Sequence, residues 1–131
     1  MTMYIKPYRR AHQMAHHRHQ HHQNQVHVPM DVSREEDDYV IEMIVPGLEP
    51  EALEIEIVEN TVAVEGEFPA ADEDIHYLRQ ERPAGKFRRV VKLPKMLDVE
   101  AAQADLKQGV LTLRIPVAEE ARPRTIQVKA K

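Results

Sequence analysis

Cysteine and tryptophan are missing from this 131-residue chain, and serine occurs once, at Ser33. Without cysteine there is neither a disulfide framework nor a thiolate zinc site. The lone serine has no elbow motif around it, and the histidines are gathered almost wholly into one stretch, so no nucleophile–base pair is visible. A phosphate-cradling loop is absent too: Gly85-Lys86 lacks both the upstream glycine and the following Ser or Thr. These absences point away from an enzyme. No apolar run approaches the ~18 residues of a membrane span, and the first residues lack the apolar centre of a signal peptide. The expectation is a cytoplasmic protein with no membrane partner and no cofactor. Two Phe and four Tyr are too few to fill a core, so Val, Ile and Leu must fill it, which suits strands.

Charge is plentiful but unevenly placed. Residues 1–28 carry Lys6, Arg9, Arg10 and Arg18 and no acid, while the net charge of the whole is −4, so the remainder is −8. A basic arm on an acidic body argues against nucleic acid, whose readers carry basic patches with stacking aromatics on the folded domain. The same arm holds His12, His16, His17, His19, His21, His22 and His27 among Gln, Asn and Arg, with no period of 2.0 or 3.6. Such a tract offers too little apolar area to offset chain entropy, and disorder is expected for 1–28. His16, His17, His19, His21 and His22 make a weak alternative metal site, because no fixed spacing or carboxylate defines one. Imidazoles titrating near pH ~6.5 also make acid-dependent assembly an expectation.

Residues 29–118 read as strands. Met30-Asp31-Val32-Ser33 opens, and Arg34 to Asp38 forms a charged turn. Tyr39, Ile41, Met43 and Val45 then share one face, with Val40, Glu42 and Ile44 on the other, until Pro46-Gly47 stops the strand. Leu53, Ile55 and Ile57 alternate with Glu54, Glu56 and Val58. Glu59-Asn60 turns the chain into Val62 and Val64, giving a hairpin whose glutamates are its wet face. Residues 69–86 break the rhythm as a long connection in which Ile75, Tyr77 and Arg79 have the spacing to pair briefly. Lys86 to Pro94 resumes, with Phe87, Val91 and Leu93 on one face and Arg89 among them, a charge that needs an acidic partner there. Ala104 and Leu106 precede a Gln108-Gly109 turn, followed by Leu111, Leu113 and Ile115. Six to eight strands and no long helix imply an all-β, immunoglobulin-like antiparallel β-sandwich. Residues 119–131 are charged and extended, ending in Ile126-Gln127-Val128, whose β-branched residues project from one side.

The run Ala104 to Ile115, with its Gly109-Val110-Leu111, resembles the signature of the small heat-shock proteins, the Hsp20 or α-crystallin family. Pro46-Gly47, the Phe87-x-Arg89 strand and the terminal Ile126-x-Val128 occur in that family's order, with Val where the family has a second isoleucine. The resemblance implies an α-crystallin domain at 29–118 and a docking tail at 119–131. It implies a homodimer in which Ile75, Tyr77 and Arg79 of a strand-exchange loop meet Met30 and Val32 of the partner, with Arg89 in the interface. It implies that Ile126 and Val128 dock in a neighbour's groove between Leu53, Ile55 and Ile57 and Ala104 and Leu106, building a larger homo-oligomer. The function implied is an ATP-independent holdase that binds unfolded clients and hands them to ATP-driven chaperones. The alternatives are a p23-like adaptor sandwich and a metal-sequestering protein acting through its His-rich arm. The arm departs from the family by being short of Phe and Leu.

Overall fold

A computed structural model of the protein describes residues 25–130. It contains seven strands: β1 (Met30–Glu35), β2 (Asp38–Ile44), β3 (Leu53–Val58), β4 (Thr61–Phe68), β5 (Gly85–Lys92), β6 (Gln103–Lys107) and β7 (Val110–Pro116). Two single 3-10 turns, Pro50–Ala52 and Glu119–Ala121, are the only helical pieces among the described residues. All pairings are antiparallel. They build a four-stranded sheet in the order β1-β2-β7-β6 and a three-stranded sheet in the order β3-β4-β5. The expected antiparallel β-sandwich is the fold that forms.

Period-2 alternation fixes the register because a slip by one residue would turn every apolar side chain outward. Between β2 and β7, Tyr39 lies opposite Ile115, Ile41 opposite Leu113 and Met43 opposite Leu111. These six, with Val62 and Val64 of β4 and Phe87 of β5, are all buried in one core. Each such side chain contributes about 1.5–3 kcal/mol on leaving water. The two Phe rings meet in that core, Phe68 and Phe87 lying tilted with centroids 5.4 Å apart. Gly66 makes the room: a Cβ there would sit 2.8 Å from two Phe87 ring carbons.

The β6–β7 hairpin turns in two residues, with Lys107 paired to Val110. Gln108 and Gly109 both take positive φ, 52° and 77°, as a primed turn requires. Gly109 is needed twice over, because a Cβ there would also lie 3.0 Å from the Pro46 backbone. The Val45 amide donates to the Gly109 carbonyl at 2.7 Å. The signature hairpin is thereby tied to the Pro46-Gly47 turn.

Four places differ from the sequence reading. The charged turn shrinks to Glu36-Asp37, because Arg34 pairs with Tyr39 and Glu35 with Asp38 in an extended β1–β2 ladder. Val28, assigned by composition to the arm, is buried in the core, and Val26 packs against it. The Val26 amide donates to the Lys86 carbonyl at 3.1 Å, so the packed body begins before residue 29. Val40 points to the wet face yet is buried. Its cross-strand neighbour Arg114 reaches over that face toward Asp38 and Glu35, and a long arginine stem covers apolar surface. Finally, residues 69–84 contain no strand, so Ile75, Tyr77 and Arg79 join no ladder among the described residues.

Candidate functional site

The features that can do something lie on the edges, where the two sheets fail to cover each other. Because Val26 lies beside β5 and the chain then enters β1, those two edges share one side of the sandwich. The other side is left to β3 and β6.

On the β3/β6 side, Leu53, Ile55 and Ile57 all face inward but stay half-buried, packed on the core without being covered by it. Leu106 of β6 is half-buried and packs on the same core, while Ala104 is exposed. Both strands present a free backbone edge as well. The proposed docking segment stands apart: residues 122–130 have no secondary structure, and Ile126 and Val128 are 86% and 96% exposed. Within one chain these two side chains stay in solvent.

On the β1/β5 side, Met30 packs on the core, whereas Val32 is 43% exposed although it lies opposite the buried Ile41. Four strands stacked on three leave part of the wider sheet uncovered. The 69–84 loop presents Ile75 and Leu78 to solvent, and among the described residues its Arg79 pairs only with the exposed Glu81 at 3.2 Å. Tyr77 is half-buried, lining a cleft of about 430 Å³ with Pro46, Phe68 and Pro83.

Arg89 is half-buried, and the acidic partner expected for it is not there. Its guanidinium Nη1 lies 3.4 Å from His27 Nδ1, and it makes no ion pair with a carboxylate among the described residues. His27, in the segment that enters β1, is the side chain its guanidinium meets. Arg88 points to the opposite face and pairs with Glu65 at 3.6 Å.

Sequence reasoning missed Arg114. It donates to Glu35 Oε2 at 2.6 Å and to Asp38 Oδ2 at 3.3 Å. Those hydrogen bonds, Glu35 first, hold its guanidinium above the ordinary arginine range. The signal was legible only with the register in hand, since the partners are 79 and 76 residues away. The expectations placed on His12 to His22, metal binding and acid-dependent assembly, lie outside the described residues. Among the described residues no three His, Asp or Glu side chains gather to hold a metal, and no helix is long and apolar enough to cross a membrane.

An antiparallel sandwich of four strands on three, open at both edges, with a glycine hairpin locked to a proline turn, is the architecture of an α-crystallin domain. Comparison with known proteins gives the same result. The family model for the Hsp20/alpha crystallin family matches residues 31–129, a stretch that includes Ile126 and Val128. The 18 kDa heat shock protein of Streptomyces albus G is 45% identical over 103 residues, covering 77% of this chain and 72% of that protein. The 18 kDa antigen of Mycobacterium leprae is 45% identical over 101 residues, covering 77% and 68%. Among solved structures, a small heat-shock protein from Xylella fastidiosa superposes with a TM-score of 0.67 at 29% identity, covering 81% of this chain and 99% of that one. This chain belongs to the Hsp20/alpha crystallin family. The family's members are small heat-shock chaperones and not enzymes, which supports a role in the stress response.

Proposed function

We propose that this protein is an ATP-independent holdase. It binds partly unfolded proteins in the cytoplasm, keeps them from aggregating under stress and releases them to ATP-driven chaperones. The observation that carries this reading is the contrast between a sealed core and the apolar side chains left in water on the edges and extensions: Val32, Ile75, Leu78, Ile126 and Val128. Exposed apolar surface of this kind marks interaction sites. No cofactor enters the proposed activity.

Assembly supplies and regulates that surface. The 69–84 loop crosses to a partner, where Ile75, Tyr77 and Arg79 meet Met30, Val32 and Arg89, and the exchange pairs the free outer edge of β1. Ile126 and Val128 dock on a further copy against Leu53, Ile55 and Ile57, beside Ala104 and Leu106. The working division is an arm ahead of the sandwich, the domain through residue 118, and a docking extension from 119. Burying one Ile and one Val gives about 1.5–3 kcal/mol each, whereas association costs an estimated 4–15 kcal/mol. One tail alone therefore barely holds. Many tails in a closed assembly hold through effective concentration, giving large particles that exchange subunits.

The test is light scattering from a heat-denatured client with and without the protein. Near-stoichiometric protein without nucleotide is expected to suppress the signal. Unchanged client aggregation, or suppression only with ATP, would overturn the proposal.

A further inference from the structure

We propose that the outer face of the four-stranded sheet is a docking surface for the protein's own basic arm, residues 1–24. The register places Asp31 of β1 opposite Glu42 of β2, Glu42 opposite Thr112 of β7, and Thr112 opposite Asp105 of β6. All three acids are exposed, so one acidic row crosses the whole sheet. Like charges directly opposite each other on paired strands are destabilising, and Asp31 and Glu42 stand in that relation. The face has little of its own to offset this. Arg114 is committed to Glu35 and Asp38, which leaves Lys107 of β6, and none of the three acids makes an ion pair among the described residues.

A second feature of the face is apolar. Ile44 and Val110 are direct cross-strand neighbours, 54% and 36% exposed. They form the row next to Glu42 and Thr112, about 7 Å along the strands. The surface is thus an acidic strip beside an apolar one.

The arm has the matching composition. Lys6, Arg9, Arg10 and Arg18 stand among Met3, Tyr4, Ile5, Tyr8 and Met14, with six histidines and no acid. Residues 25–130 hold thirteen Lys and Arg against all twenty-two acids of the chain, a net charge of −9. The arm joins the body at Gln25, five residues before β1. Seven residues separate Gln25 from Arg18 and reach at most about 25 Å, while the acidic row spans about 14 Å across four strands. The arm docks on its own sheet, shields the Asp31–Glu42 repulsion and covers Ile44 and Val110. Salt releases it. Acidification toward about pH 6 adds charge to the six histidines and tightens it.

Limited trypsin digestion of the full-length protein tests this, because trypsin cuts after Arg18 in the arm and after the exposed Arg124 in the tail, an internal reference. At low salt, cleavage after Arg18 relative to Arg124 is expected to be about fivefold slower in the native protein than in an Asp31→Asn/Glu42→Gln/Asp105→Asn variant. Salt at about 0.5 M should remove the difference. A Glu54→Gln/Glu56→Gln/Glu67→Gln variant, with the same charge change on the other sheet, should keep the native ratio. Equal ratios in the native protein and the first variant, or a shift in both variants, would overturn the proposal. If the first variant is cut within its body, the salt series on the native protein decides: a salt-independent ratio overturns it. Tenfold dilution should leave the fraction of chains cut after Arg18 per unit time unchanged at fixed trypsin, and loss of protection would put the arm on another copy, against the proposal.

Discussion

Leu111, Leu113 and Ile115 in β7 and Ile126 and Val128 in the tail share one sequence pattern, large aliphatic residues spaced by two. Their fates are opposite. The β7 residues are sealed in the core, while the tail residues are almost fully in water. The difference lies in the flanks. β7 follows a two-residue turn that folds it onto β6 and already has β2 on its other side, whereas the tail beyond Arg122-Pro123-Arg124 pairs with no strand among the described residues. Alternation says that one face is apolar, and only chain connectivity says whether the same molecule can cover it.

Six variants sharpen or break this comparison. The largest effect belongs to Ile115→Ala, which should lose about 2–5 kcal/mol of unfolding free energy in urea. The paired change Ile126→Ala/Val128→Ala should leave the urea midpoint of the domain within about 0.5 kcal/mol and instead reduce particle size in gel filtration to that of a dimer. A tail variant that unfolds early, or keeps its full particle size, would break the contrast.

Next come the two glycines of the locked turns. Gly109→Ala imposes a left-handed Cβ and drives it against Pro46, an expected loss of about 1–3 kcal/mol. Gly47→Ala shares the left-handed backbone, φ 82°, but meets open space, so its loss should be the smaller of the two, about 1 kcal/mol. Equal losses would mean that the Pro46 contact contributes nothing. Denaturation at a single protein concentration measures both.

Asn60→Ala removes a side-chain hydrogen bond to the Leu93 carbonyl at 2.8 Å and should cost about 0.5–1.5 kcal/mol. The smallest effect is expected from Arg114→Gln. Its pair with Glu35 is solvent-exposed and that with Asp38 partly so, so any change in the urea midpoint should be slight and should fade in high salt. A large, salt-independent loss would show that Arg114 matters chiefly as a cover for Val40.

Most strands were legible because their faces are uniform: Leu53, Ile55 and Ile57 against Glu54 and Glu56, or Leu111 and Leu113 against Thr112 and Arg114. The candidate groove residues were legible for the same reason, being the apolar halves of β3 and β6. Ala104 is the exception, exposed at the sheet edge where a small side chain reaches nothing. The partner of Arg89 was not legible, since His27 is 62 residues away and sits in a tract that reads as featureless. Val28 was misplaced for a related reason: in a polar stretch one valine carries no period, and burial depended on the chain turning in beside β5.

What the sequence alone determined is the local grammar: which residues extend, where glycine and proline turn the chain, and that a core of aliphatic side chains must face away from a belt of glutamates. Those follow from backbone sterics and the two-residue period, which act within a few positions. Only the tertiary structure decided which edges stay open, which arginine finds its acids and which acids are left facing each other. These outcomes depend on the order of strands in the two sheets, and strand order is set by contacts between residues far apart in the chain.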